Sequence, residues 1–221
     1  VVVRGGMYRG SHSTQFADRT DAGRQLGERV REENIDADVV LAIPRGGLPL
    51  GRAGADALDV PLDVVIAKKI GAPGNPEFAI GAVAADGSIW LNDDVIQRQG
   101  ISREYVATQR EQKAAEARQK AERYRDGPPP ELAGKRAVIV DDGVATGATV
   151  RACIERVRSE QPARIVLAVP VGSPRTVAEL ERMVDDAVVL ETPPGFHAVG
   201  QYYRDFTQVT DEEAIEYLDD G

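Results

Sequence analysis

Between residues 18 and 31 the small or apolar positions Ala22, Leu26 and Val30 recur every four residues among charged ones, and Asp18 and Thr20 are available as caps. That spacing predicts an amphipathic helix. The next apolar run, Val39-Val40-Leu41-Ala42-Ile43, is too short for a core helix and too continuous for a half-exposed strand. It predicts a strand buried on both faces. Pro44-Arg45-Gly46-Gly47 stops it, a helix from Leu48 to Leu58 follows, and a second apolar strand from Leu62 to Ala67 enters a Pro- and Gly-rich stretch from Gly71 to Pro76. Two further short strands flank Asp86-Gly87, a pair of hairpin type. From Ser102 to Arg125 the chain is polar and helical with few large apolar residues, ended by Gly127 and Pro128-Pro129-Pro130, and reads as a solvated arm. Beyond it strands and helices alternate: Ala137 to Val140, Gly147 to Ser159, Arg164 to Val169, Pro174 to Met183, and Ala187 to Leu190. Alternation of this kind, with strands buried on both faces, predicts an α/β fold, a parallel twisted sheet flanked by helices.

Composition narrows the picture. The 221 residues suit one large domain, and 42% hydrophobic content supports a sizeable core, which excludes global disorder. Residues 1–15, rich in Gly, Ser and Arg and containing Met7 as an internal start, read as a loose leader ahead of a single domain over 16–221. No stretch approaches 18 consecutive apolar residues and the first residues lack the order of a signal peptide, so neither membrane spanning nor export is indicated. The single Cys153 excludes an internal disulfide, and with only two histidines the chain cannot build a Cys/His zinc site. A cytoplasmic location is the expectation. A net charge of −9 repels polyphosphate backbones, which disfavours nucleic acid as a partner.

The chemistry concentrates in Val138-Ile139-Val140-Asp141-Asp142-Gly143-Val144-Ala145-Thr146-Gly147-Ala148-Thr149-Val150: a buried strand, two adjacent acids, then a small-residue loop opening a helix. In an open parallel sheet, ligands bind beyond the carboxyl ends of the strands, where this loop lies. Small residues let backbone N–H groups reach an anion, the helix start adds about half a positive charge, and Thr146 and Thr149 add hydroxyl donors. A phosphate fits that cradle. The carboxylates ahead of it would repel a bare polyphosphate, but they accept hydrogen bonds from vicinal hydroxyls or hold a hydrated divalent cation. Together they indicate a sugar phosphate. Neither a Walker loop nor a dinucleotide fingerprint is present. Pro44-Arg45-Gly46-Gly47 offers a second cradle between strand and helix, where the Arg45 guanidinium suits bidentate phosphate contact. Lys68-Lys69 ahead of Gly71, Pro73, Gly74 and Pro76 reads as a charged stem carrying a lid, with Lys68 as the solvated surface charge of the two.

The string from Val138 to Val150 resembles the phosphoribosyl-pyrophosphate (PRPP) motif of the type I phosphoribosyltransferases. Gly143 stands where that family usually has an apolar residue, a departure expected to loosen the loop. The chain is similar to the substrate-unassigned bacterial and archaeal members through Phe16-Ala17-Asp18-Arg19, Ala22-Gly23, Pro44-Arg45-Gly46-Gly47, Lys69 to Val83, Ala198-Val199-Gly200 and Tyr203-Arg204-Asp205-Phe206. The resemblance implies the type I phosphoribosyltransferase fold, with an irregular hood over about 191–206. It implies that Asp141 and Asp142 grip the ribose, with Mg²⁺ held through water, while Ala145, Thr146, Gly147, Ala148 and Thr149 receive the 5′-phosphate. Arg45, Gly46 and Gly47 would take the pyrophosphate, often through an unusual peptide bond, and Lys69 would neutralise it as it departs. Glu77 is open between capping the lid and assisting protonation.

The acceptor is then a nitrogenous base, with Phe196, His197 and Val199 as the candidate base site and core packing as the competing role for Tyr202, Tyr203 and Phe206. The 6-oxopurine enzymes carry an acid where this chain has Ala145, so the preference for a purine-like base rests on the segment from Phe196 to Gly200 alone. The segment 102–125 reads as a structural element or a homo-oligomer contact. Cys153, inside the helix after the cradle, reads as a packing residue. Two functions follow: a nucleotide-salvage transferase, or a regulatory protein that binds PRPP or a nucleotide without turnover.

Overall fold

The computed structural model describes residues 15–125 and 127–219, so the leader reading falls almost wholly outside the described residues. Asp18 caps the first helix, α1 (Arg19–Glu32), by accepting from the Asp21 amide, and Ala22, Leu26 and Val30 are buried as their spacing predicts. Strand β1 (Val39–Ala42) leads into α2 (Gly47–Leu58), and β2 (Leu62–Val64) follows. The chain then forms β3 (Ala67–Ala72), β4 (Asn75–Ala84), β5 (Ile89–Leu91), α3 (Asp93–Arg98) and α4 (Arg103–Tyr124). Beyond these come β6 (Arg136–Val140), α5 (Ala148–Ser159), β7 (Arg164–Val171), α6 (Pro174–Leu180), β8 (Asp186–Glu191) and α7 (Asp211–Asp219).

The main sheet has five parallel strands in the order β2-β1-β6-β7-β8. Alternate residues face opposite layers. Val40, Ala42, Val138, Val140, Val166 and Ala168 pack with Leu26, Val30, Leu48 and Leu50 of α1 and α2. Val39, Leu41, Ile139, Leu167 and Val169 pack on the other side with Ile154 and Val157 of α5 and Leu180 of α6. Both faces are covered, which is why these strands read as unbroken apolar runs.

The expected strand from Leu62 to Ala67 divides. It leaves the parallel sheet at Val64, and Ala67 begins an antiparallel hairpin with β4 in a three-stranded sheet, β3-β4-β5. The Pro- and Gly-rich stretch is therefore a hairpin turn, with Gly74 at φ 75°, rather than an irregular loop. Helix α4 is not a solvated arm: it covers this second sheet, burying Ala114 against Ile70, Ile80 and Val83, and Tyr105 donates its hydroxyl to the Gly71 carbonyl at 2.9 Å. The helix reads as polar because alanines, Ala114 and Ala117, supply the close contact. Helices α3 and α7 lie outside the elements that the hydrophobic pattern predicts.

Helices α1 and α2 touch through glycines. A Cβ at Gly23 would lie 2.2 Å from the Leu50 carbonyl oxygen, and one at Gly27 would lie 2.6 Å from the Ala57 Cβ. Gly23→Ala forces the helices apart, and overpacking of this kind costs about 2–3 kcal/mol. The expected result is a fall in Tm of about 5–10 °C for a domain of this size. An unchanged Tm in thermal denaturation would show that the helix spacing is not set at Gly23.

Candidate functional site

Strands β1 and β6 are direct neighbours in register, Ala42 opposite Val140, so the loops that follow them leave the same edge of the sheet side by side. In the first loop the Pro44–Arg45 peptide bond is cis, and Gly46 caps α2. The second loop is fastened to the end of β7: the Val144 amide donates to Val171 at 2.9 Å, the Ser173 amide donates to Val144 at 2.9 Å, and the Thr176 hydroxyl donates to the Ala145 carbonyl at 2.7 Å. Gly147, at φ 72°, turns the chain into α5. Among the described residues, the backbone N–H groups of Ala145, Thr146, Gly147, Ala148 and Thr149 donate no hydrogen bond within the protein. Ala145 and Thr146 are exposed and Thr149 is half-buried, while Gly147 and Ala148 are buried beneath them. This is a row of unused donors at a helix start, the arrangement that receives an anion.

The two loops converge on one carboxylate. A Cβ at Gly46 would lie 2.0 Å from Asp142 Oδ2, so only glycine permits the first loop to lie against the acid pair. Arg19 Nε donates to the same Oδ2 at 2.9 Å, while its Nη1 donates to the Thr207 carbonyl at 2.8 Å and its guanidinium lies 3.9 Å from the centre of the Phe206 ring. Tyr203 donates its hydroxyl to the Asp142 carbonyl at 2.6 Å. Asp141 turns one oxygen back to accept from the Asp142 amide at 2.9 Å. Burial raises both carboxyls above the ordinary range; for Asp141 the adjacent Asp142 charge adds to this, and for Asp142 the Arg19 cation opposes it. A ligand that brings hydroxyl donors or positive charge to this pair relieves that desolvation. Arg19 is a site residue that sequence reasoning missed: its partner lies 123 positions away, and its only signal was the segment Phe16-Ala17-Asp18-Arg19.

A sequence profile of the Phosphoribosyl transferase domain matches residues 13–206. The chain belongs to this family. A curated relative from Mycobacterium tuberculosis strain H37Rv, named "Putative phosphoribosyl transferase Rv0571c", is 43% identical over 205 residues, which are 92% of this chain and 46% of that protein. The counterpart from strain CDC 1551 matches equally. The chain thus spans about half the length of the curated relatives it matches. The crystal structure of TT1426 from Thermus thermophilus is 41% identical, covers 92% of this chain and 97% of that one, and superposes with a TM-score of 0.80. The fold is that of the type I phosphoribosyltransferases, a parallel sheet flanked by helices.

In this phosphoribosyl transferase domain the hood meets the cradle at Gly143. A Cβ there would lie 2.6 Å from Val199 Cγ1, so the glycine permits close packing of the hood, and the expected loosening of the loop gives way to a contact. Phe196 is half-buried and stacks on Tyr202 with ring centres 5.8 Å apart and planes 6° from parallel, whereas His197 is exposed. Tyr202 and Tyr203 are buried in the core, which answers their competing readings in favour of packing.

Lys69 is not brought to the two loops. Its Nζ pairs with the Glu77 carboxylate at 3.0 Å on the hairpin, and the adjacent Lys68, half-buried rather than solvated, faces Lys120 of α4. Cys153 is fully buried, with its Sγ 3.7 Å from the Val65 carbonyl and its thiol pushed up by burial, as a packing residue should be. Among the described residues no three His, Cys, Asp or Glu side chains gather as a metal site, and no helix is long and apolar enough to cross a membrane.

Proposed function

We propose that the domain transfers the 5-phosphoribosyl group of PRPP to a nitrogen of a base and releases pyrophosphate. The observation that carries the reading is the meeting of the two loops at Asp142, which sets an amide-lined cradle and an arginine-bearing loop on either side of a carboxylate pair. PRPP has anionic groups at both ends of a diol, and that order of groups matches the order of the site. The amides from Ala145 to Thr149 bind the 5′-phosphate, Asp141 and Asp142 accept from the ribose hydroxyls, and Arg45, Gly46 and Gly47 hold the pyrophosphate.

The C1′–oxygen bond to pyrophosphate breaks as the C1′–nitrogen bond forms on the opposite face, so the anomeric centre inverts and the base loses a proton to solvent. Negative charge grows on the departing pyrophosphate, where Arg45 and the loop amides act, and Lys69 joins them once it leaves Glu77. Asp141 and Asp142, two adjacent carboxylates, would hold a Mg²⁺ ion through water, and the ion would supply further charge neutralisation. In this reading Phe196, His197 and Val199 frame a purine-like base.

Phe196→Ala is expected to raise the KM for the base about tenfold, as loss of a stacking face typically does, and to leave the KM for PRPP within about twofold. Equal changes in both would move Phe196 from the base site to the general packing of the hood. The reading as a whole is tested by incubating the protein with PRPP, Mg²⁺ and a panel of bases and measuring pyrophosphate. Release that depends on one base supports the transferase; PRPP binding without release for any base makes the domain a regulatory binder.

A further inference from the structure

Beside the Arg45 loop, cations from two elements, the loop itself and α4, face one carboxylate. Asp211, the first residue of α7, accepts from the Tyr124 hydroxyl at 2.5 Å and pairs with Arg123 Nη1 at 3.1 Å. Arg45 Nε and Lys120 Nζ each lie 4.0 Å from Asp211 Oδ1, within ionic reach but short of a hydrogen bond. Glu212, the next acid, is taken by Arg123 at 2.6 Å. Lys120 is the unusual member. Its side chain is only 19% exposed, and among the described residues its ammonium makes no hydrogen bond to any protein group. Burial, together with the charges of Lys68, Arg45 and Arg123, holds that ammonium down to about 8, with Asp211 opposing. Its nearest protein partners are the Asp211 carboxylate at 4.0 Å and the face of the Tyr124 ring, 5.3 Å from Nζ, so its three donors are open to water or to a ligand that enters the cluster. As it stands the carboxylate holds Tyr124 and Arg123 at hydrogen-bonding distance and leaves Arg45 and Lys120 beyond it; a phosphate group, with three free oxygens, is able to address more of these donors.

We propose that Lys120 of α4 extends the pyrophosphate subsite begun by Arg45, Gly46 and Gly47, and that the Asp211 carboxylate occupies the place of a phosphate oxygen until pyrophosphate displaces it. This rests on the function proposed above. It gives α4 a binding role as well as its structural one, and it makes α7 an internal competitor of the substrate's diphosphate end.

The experiment is calorimetric titration with two probes, inorganic pyrophosphate and ribose 5-phosphate. Lys120→Gln is expected to weaken pyrophosphate about tenfold, Lys120→Arg to restore most of that loss, and Asp211→Asn, which keeps the Tyr124 hydrogen bond but removes the competing charge, to tighten pyrophosphate at least threefold. Ribose 5-phosphate, which addresses the Ala145 to Thr149 cradle, should change by less than twofold in all three. If Asp211→Asn weakens pyrophosphate, the competition is overturned. If both Lys120→Gln and Asp211→Asn bind pyrophosphate like the unmodified protein, the extension is overturned while the transferase reading stands. If the unmodified protein binds neither probe, both fail.

Discussion

Asp142→Asn is expected to raise the dissociation constant for PRPP about 100-fold without lowering the Tm. The first half follows from the role proposed for the carboxylate: a charge-assisted hydrogen bond to a ribose hydroxyl is worth roughly 1.5–3 kcal/mol, and the amide also weakens the ion pair with Arg19 that fixes the side chain at 2.9 Å. A loss of about 2.7 kcal/mol is about two decades in affinity. The second half follows from the direction in which both carboxyls are displaced. A carboxyl raised in the folded state above its unfolded value stabilises the fold only at low pH, and that contribution is lost as pH rises through the ordinary carboxylate range and beyond. Wherever the pair is ionised it therefore opposes folding. Neutralising one member removes like-charge repulsion from a desolvated site, and Tm should hold or rise by a few degrees. Titration with PRPP and thermal denaturation of the same sample check both halves. Unchanged affinity would remove the ribose assignment, and a lost Tm with lost affinity would make Asp142 a structural residue.

Lys69→Ala is expected to lower kcat about 100-fold while the KM for PRPP moves by less than about threefold. Donors aimed at charge that develops only as a bond breaks are worth about 3 kcal/mol, and because they act in the transition state they appear in turnover rather than in substrate binding. The structure shows Lys69 paired with Glu77, whose side chain is 91% exposed. Ion pairs so exposed contribute little, so the proposed release of the lysine toward pyrophosphate comes at small cost. Steady-state kinetics decides the matter: a raised KM with kcat unchanged would make Lys69 a ground-state contact, and unchanged kinetics would pass its role to Lys68.

The acid pair and its cradle were legible because their chemistry is local. A buried strand, two carboxylates, small residues and a helix start occupy consecutive positions, and each is needed in that order for backbone amides to face an anion. The both-face-buried strands were legible for the same reason. What escaped was carried by distance or by small side chains. Arg19 reaches Asp142 across 123 positions, and no spacing announces such a pair. Helix α4 concealed its buried face behind Ala114, which meets the hairpin, and Ala117, which meets the main core near Val64 and Ile66; both contribute almost nothing to a hydrophobic period yet allow close approach. The boundary between β2 and β3 was invisible because the apolar run continues through Val65 and Ile66 while the chain changes sheets, and residue type alone does not distinguish a parallel partner from an antiparallel one. Gly143 was read for the residue it lacks, when its meaning lay in the Val199 side chain that fills its space.

Phe16 forms a bridge with Tyr203, the Arg204 and Asp205 amides donate to Phe16 and Ala17, and Arg19 joins Asp142 to the Thr207 carbonyl. The segment just ahead of α1 and the one around residue 205 are thus sewn together over the Asp142 carboxylate. A nascent chain that has not yet reached Thr207 has Arg19 and the cradle loop but lacks the carbonyl that anchors the guanidinium beside Asp142, so this corner of the fold closes only after residue 207 has been made.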